Sequence, residues 1–240
     1  MRLRWIPALL GLLAALLVLL AGPGTRLGAW DFRTGFSLLR WGAYVGLAAA
    51  ATAVVLFLVR PKSGGAIPLS LGLLLGLGAA FLPWYWMQQA RRVPPIHDIT
   101  TDPDRPPRFV AVVPLREGSP NSLTYGGAEV AEAQRKAYPD IKPLVLPISS
   151  GAAFTRALAS AQGMGWKIVA ADSTAGRIEA TATTAWFGFK DDVVVRVRPE
   201  GSGSRIDVRS VSRVGQSDVG TNARRIRAYL ADLARRDSQS

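Results

Sequence analysis

Residues 67–87, IPLSLGLLLGLGAAFLPWYWM, run for about 21 positions without a charge. A helix rises about 1.5 Å per residue, so roughly 20 apolar residues cross the ~30 Å hydrocarbon core of a bilayer. Towards the N-terminus, WGAYVGLAAAATAVVLFLV (41–59) and WIPALLGLLAALLVLLA (5–21) have the same character over about 19 and 17 residues. The pattern predicts three transmembrane helices, at about 5–21, 38–59 and 67–87, which make residues 1–90 an anchor. The first run also fits a signal peptide, with Arg2 and Arg4 ahead of it and AGPG behind. Two further spans follow at once and favour the anchor. Trp84, Tyr85 and Trp86 close the third span as interfacial aromatics, with Trp30 and Trp41 near one boundary.

Charge divides the chain in the same place. Before Pro94, nine basic residues face Asp31 alone, a net of +8, whereas the remainder carries only +4 of the total +12. The basic excess therefore flanks the spans, where Lys and Arg meet lipid phosphates, and a nucleic-acid partner loses its support. Arg2, Arg4, Arg60 and Lys62 lie on one side of the three spans, and Arg26, Arg33, Arg40, Arg91 and Arg92 on the other. Loop charge thus assigns no orientation. Every charge named sits at or beyond a span end, so no ion or proton path is marked, and the frequent Gly and Ala read as helix-packing surface.

The chain has no cysteine and one histidine, His97. That excludes disulfides, thiolate metal sites and cysteine nucleophiles, and makes a multi-histidine metal centre or a histidine triad hard to build. No cofactor and no metal is expected.

After the anchor, VPPIHDITTDPDRPPRF (93–109) reads as an extended Pro-rich linker over about 91–109, followed by a soluble α+β domain at 110–240. A helix is predicted at 127–138, stopped by Pro139. A second is capped by Ser149 or Ser150, with Phe154, Ala157, Leu158 and Ala161 as its apolar stripe. Strand-like runs at 166–172, 177–184, 192–198 and 205–214 predict a four-stranded antiparallel meander, covered on one face by helices. Alternation places Ile178, Ala180, Ala182, Val193, Val195, Val197, Ile206 and Val208 on a core face, and Arg177, Glu179, Thr181, Asp192, Arg196, Arg198, Asp207, Arg209 and Arg213 on a charged one. A last amphipathic helix from about Asp218 carries Val219, Ala223, Ile226, Leu230 and Leu233, with Ser217 as its cap.

Four segments, IHDITTD (96–102), AYPDIKPL (137–144), GRIEATATTAWFGFKDDVVVRVR (176–198) and SRIDVRSVSRVGQSDVGTNARRIRAYL (204–230), together resemble the bacterial family called domain of unknown function 1499, in its three-helix membrane-anchored form. The resemblance runs from Ile96 to Leu233. Other members look secreted or lipid-anchored, which implies a periplasmic domain tethered to a bacterial inner membrane. No activity comes with the resemblance.

Three places carry candidate chemistry. His97, Asp98 and Asp102 can bind a cation or form a base–acid pair, and equally can satisfy the linker's own backbone through Asx and Thr turns. Trp186, Phe187 and Phe189 with Lys190, Asp191 and Asp192 can line a groove, close the end of the core, or dip into the bilayer surface. Arg177, Arg196, Arg209 and Arg213 with Glu179 and Asp192 can bind an anion, or form a ladder of cross-strand ion pairs. Ser210 and Ser212 fall on the apolar face and call for buried hydrogen bonds, while GSGS (201–204) is a hairpin turn. Together these predict a non-enzymatic envelope domain that binds lipid, an envelope polymer or a partner protein, with ligand contacts among Arg177, Glu179, Trp186, Lys190, Asp191, Asp192, Arg196, Arg209 and Arg213. A hydrolase or transferase using Asp191, Asp192 or His97, and a scaffold subunit of a membrane complex, are the alternatives.

Overall fold

The structure, a computed structural model, describes residues 2–59 and 66–237; Arg60 and Lys62 of the loop-charge comparison lie outside the described residues. The chain divides into two compact units. One comprises Met1–Arg91 with Ala185–Gly188, and the other Arg92–Thr184 with Phe189–Ser240.

The first unit contains three helices long and apolar enough to cross a membrane: α1 (Trp5–Arg26), α2 (Phe32–Val59) and α3 (Ala66–Arg91). α2 begins ahead of the apolar run because Asp31 Oδ1 accepts the N–H groups of Arg33 and Thr34 at 2.7 and 2.9 Å, capping the first turn. Small residues face inwards: Ala14, Ala21, Ala49 and Ala53 are buried, while Leu9, Leu12, Leu19 and Leu74 point outwards. In lipid, apolar side chains gain nothing by hiding from the solvent, so backbones approach where side chains are smallest. Gly46 and Gly76 meet so closely that a methyl group on either would collide with the other's carbonyl. The same unit takes in Ala185–Gly188. Phe187 is buried with its ring centroid 5.2 Å from that of Phe36, Trp186 covers Gly22, and the Arg26 guanidinium donates to the Ala185 carbonyl.

The second unit is built on one antiparallel sheet of six strands: β1 (Asp98–Thr100), β2 (Leu144–Leu146), β3 (Lys167–Asp172), β4 (Arg177–Thr183), β5 (Lys190–Glu200) and β6 (Gly203–Ser212). The order is β1-β6-β5-β4-β3, with β2 also on β6. The expected meander of four is therefore incomplete. β1 pairs with residues 209–211 and β2 with 204–206, so two three-residue strands share the edge of β6 and satisfy backbone groups that would otherwise be unpaired. Flanked by Pro94, Pro95 and Pro103, or by Pro143 and Pro147, neither strand is long enough to show a period. The outer edge of β1 is closed by Gln134, whose amide bonds both the N–H and the carbonyl of Thr100, at 2.9 and 2.7 Å.

Helices α4 (Gly127–Ala137), α5 (Ser150–Gly163) and α6 (Thr221–Asp237) accompany the sheet. The core face has the expected composition, from Ile178 through Val208, joined by residues of α5 and α6. Trp166 stacks on Tyr229 at 4.9 Å, and the Tyr229 hydroxyl donates to the Ala157 carbonyl at 2.8 Å. The fully buried stripe of α6 is Ala223, Ile226, Tyr229 and Leu233, and the expected Leu230 packs partly buried on the same core, whereas Val219 is not part of the helix. Val219 precedes the helix with φ +52°, and Asp218, not Ser217, caps it by accepting from the N–H groups of Gly220 and Asn222.

The second face of the sheet departs most from expectation. Alternation made it charged and open; it is charged and covered. Residues 101–125 lie over it as irregular chain, with Phe109 and Val112 packed on Val194 and Val211. Glu179, Asp192, Asp207 and Arg209 beneath are buried.

Candidate functional site

A buried carboxylate is tolerable only when cations and hydrogen bonds replace its water shell. The covered face meets that requirement residue by residue. Glu179, from β4, takes the Arg177 Nε at 3.0 Å and the backbone N–H groups of Val110 and Val112, each at 3.0 Å. Asp192, from β5, receives Arg116 at 2.7 Å, Arg213 through two nitrogens at 3.0 and 2.9 Å, and the Thr181 hydroxyl at 2.8 Å. Arg209, from β6, holds Asp98 bidentately at 2.9 and 2.7 Å, donates to the Pro107 and Leu123 carbonyls, and lies over the rings of Phe109 and Tyr125. Burial also pushes the Tyr125 phenol up to about 12.

Asp192 and Asp218 titrate in opposite senses. Burial raises the Asp192 carboxyl, but hydrogen bonds from Arg213, Thr181 and Arg116 outweigh it and hold the group below its ordinary 3.8. The folded state then binds fewer protons than the unfolded chain, so this contribution is present above pH 3.8 and is lost as pH falls through the folded value. At Asp218 burial dominates and the carboxyl is raised, so stability falls as pH rises from 3.8 through its folded value. Asp218→Asn is expected to remove that fall and leave the acid limb, measured as unfolding midpoint against pH in the full chain.

Near the β5–β6 turn the face is less closed. Arg196, Arg198 and Arg205 are 26, 30 and 22% exposed and converge on two buried carboxylates. Asp102 Oδ2 meets all three, at 3.0, 3.6 and 3.2 Å, and Asp207 meets them at 2.8, 3.4 and 2.9 Å. Glu200 reaches Arg205 only at 3.7 Å and is about half exposed. Arg198 is the least engaged: its Nε makes no hydrogen bond, and both carboxylates lie at ion-pair distance only. Arg196 and Arg198 were legible as members of the charged face, but Arg205 was not named there, and the convergence with Asp102 was hidden because Asp102 sits in the Pro-rich segment.

The other candidates separate. Lys190 is exposed, with its carbonyl on the Arg213 N–H. Asp191 turns to the core side and pairs with Arg225 of α6 at 2.5 Å. Arg225 also donates to Ser210, and Asn222 links Ser210 to Ser212, so these serines are indeed hydrogen-bonded within the core. Trp186 belongs with the helical unit and not with the acids beside it in sequence. His97 Nδ1 lies 3.3 Å from the Gln216 carbonyl and borders a cleft of about 300 Å³ with Pro95, Asn121, Ser122 and Thr124. Asp98 and Asp102, its sequence neighbours, are drawn to Arg209 and to the three-arginine cluster.

The model of the family described as protein of unknown function (DUF1499) matches residues 98–233, more than half of the chain. No curated protein matches the chain.

Proposed function

The chain belongs to the DUF1499 family, and from that premise we propose a membrane-tethered, non-enzymatic binding role in a bacterial cell envelope. The helices anchor it in the inner membrane and the domain lies on the periplasmic side, where it takes the anionic groups of an envelope polymer on Arg196, Arg198 and Arg205. The observation that carries this reading is Arg198. A guanidinium presents five N–H donors in a planar fork suited to phosphate or carboxylate oxygens, and this one is partly exposed with its donors little used. Glu200, weakly held, is the group such an anion displaces.

Asp191 and Asp192, the carboxylates of the hydrolase alternative, are each neutralised by arginine, which leaves neither poised for proton transfer. His97 Nδ1 faces the Gln216 carbonyl, and Asp98, which lines the same cleft, is held bidentately by Arg209.

Full-length protein in nanodiscs is expected to bind inorganic polyphosphate or polygalacturonate with strong salt dependence. Arg198→Ala removes no short ion pair and should weaken that binding roughly tenfold, about 1.4 kcal/mol, close to the low end for one lost hydrogen bond to a charged group. Binding of neither polymer, or no effect of Arg198→Ala, refutes the assignment. A reporter fused after Ser240 that is active only outside the cytoplasm tests the side.

A further inference from the structure

Two arginines of α2 stand on the side of the helix that touches no other helix. α2 runs for 28 residues, about 42 Å, and so about 12 Å more than a ~30 Å hydrocarbon core requires. The charge-free run 41–59 fills that core, and the extra turns lie at the end capped by Asp31. One side of α2 is taken up by packing: Gly35 meets Ala21 and Thr25 of α1, Gly42 meets Val18 of α1, and Gly46 meets Gly76 of α3. Arg33, Arg40 and Tyr44 each precede one of these glycines by two residues, which places them about 200° round the helix, away from both neighbours. All three are exposed. Trp41, 57% exposed, lies beside Tyr44 with the two rings edge to face at 5.9 Å, and the half-buried Ser37 falls between the two arginines on the same face.

Among the described residues neither Arg33 nor Arg40 forms an ion pair; Arg33 lies over the Phe32 ring at 5.7 Å. The only acidic residue before Pro94 is Asp31, and its Oδ1 is occupied by the N–H groups that it caps. Arg40 immediately precedes the charge-free run, so its counter-charge has to come from the lipid. A helical side chain leaves its Cα tilted towards the helix N-terminus, so the Arg40 stem leans towards Arg33 and the polar end, the direction in which a long cationic side chain snorkels. The two Cα positions are seven residues apart, about 10.5 Å along the axis. Each guanidinium fork matches two oxygens of one phosphate. We infer that the face of α2 from Arg33 to Tyr44 binds an acidic phospholipid with two phosphodiesters, of the diphosphatidylglycerol class. One phosphate sits on each arginine, the Ser37 hydroxyl donates between them, and Trp41 and Tyr44 flank the upper acyl chains. The inference rests on the proposed crossing of a bilayer by the helical unit and not on the anion site at Arg198, and it holds on whichever side of the membrane the domain lies.

Full-length protein in neutral detergent, titrated with diphosphatidylglycerol, phosphatidylglycerol or phosphatidylcholine, reports its bound lipid by native mass spectrometry. One diphosphatidylglycerol per chain is expected, held about tenfold more tightly than phosphatidylglycerol, as one additional charged hydrogen-bonded contact provides. Arg33→Gln and Arg40→Gln should each bring it down to the level of phosphatidylglycerol; both side chains face away from α1 and α3, so the glycine contacts of α2 stay intact. Arg4→Gln removes the same charge at the opposite end of α1 and should leave the preference unchanged. Equal retention of the two acidic lipids, or a preference that survives both α2 substitutions together, overturns the inference. An equal loss in Arg4→Gln also overturns it, since net charge then accounts for the effect. Polyphosphate binding through Arg198 is measured separately, so either proposal can fail alone.

Discussion

Asp192→Ala is expected to cost the α+β unit about 3–5 kcal/mol, the range for removing one partner from a buried ion pair. Asp192 is fully buried, and its loss strands two guanidiniums, those of Arg116 and Arg213, whose side chains are 4 and 14% exposed. Domains of this size are stable by about 5–15 kcal/mol, so the variant gives up a large part of the total. The loss comes less from the attraction removed than from the two cations left without a counter-charge beneath the cover. Replacing Arg116, Arg213 and Asp192 together by apolar residues should therefore recover much of it. Trp166 is the single tryptophan of the second unit, so fluorotryptophan NMR of the full chain in micelles follows its unfolding selectively. A cost below about 1 kcal/mol would place this cluster with solvated surface pairs.

Glu179→Ala acts more locally. Its carboxylate is the acceptor for the N–H groups of Val110 and Val112, at 3.0 Å, and an unsatisfied buried donor costs about 1–3 kcal/mol. With two donors orphaned, the cover over residues 101–125 is expected to open while β4, β5 and β6 stay paired. Amide exchange at Val110 and Val112 should accelerate by one to two orders of magnitude, at about 1.4 kcal/mol per factor of ten. Trypsin should cleave after Arg108 sooner, with the amides of Ile178 and Val195 still protected. Unchanged exchange at Val110 and Val112 would show that Phe109 and Val112 hold the cover by apolar packing alone.

The core alternation of β4 to β6 was readable because a strand's side chains repeat every two residues, and the list from Ile178 to Val208 needed no partner to be recognised. The same regularity named the charged set on the other face. It did not reveal that this set is buried, because burial is supplied from far along the chain: Glu179 to Val110 spans 69 residues and Arg209 to Asp98 spans 111. The covering segment, broken by prolines, has no period of its own. Strands of three residues were missed for a like reason, and so was Tyr229, since its ring reaches the core beside Trp166 from a position off the simplest aliphatic stripe. Trp186 could be read as groove, core or bilayer residue from its neighbours; which of the two units it joins depends on Gly22 and Phe187's contact with Phe36, both distant in sequence.

By itself the sequence determined that three helices of membrane-spanning length precede an α+β domain with one apolar sheet face. Those features follow from local hydropathy matched to the repeat of helix or strand. Tertiary structure decided that the sheet has six strands, that its ionic face is closed by chain pinned on Glu179 and Asp192, and that Arg198 is left facing water. Each of these depends on charges and backbone donors meeting across long separations, where Coulomb attraction and hydrogen bonding act on distance in space and leave no periodic mark along the chain.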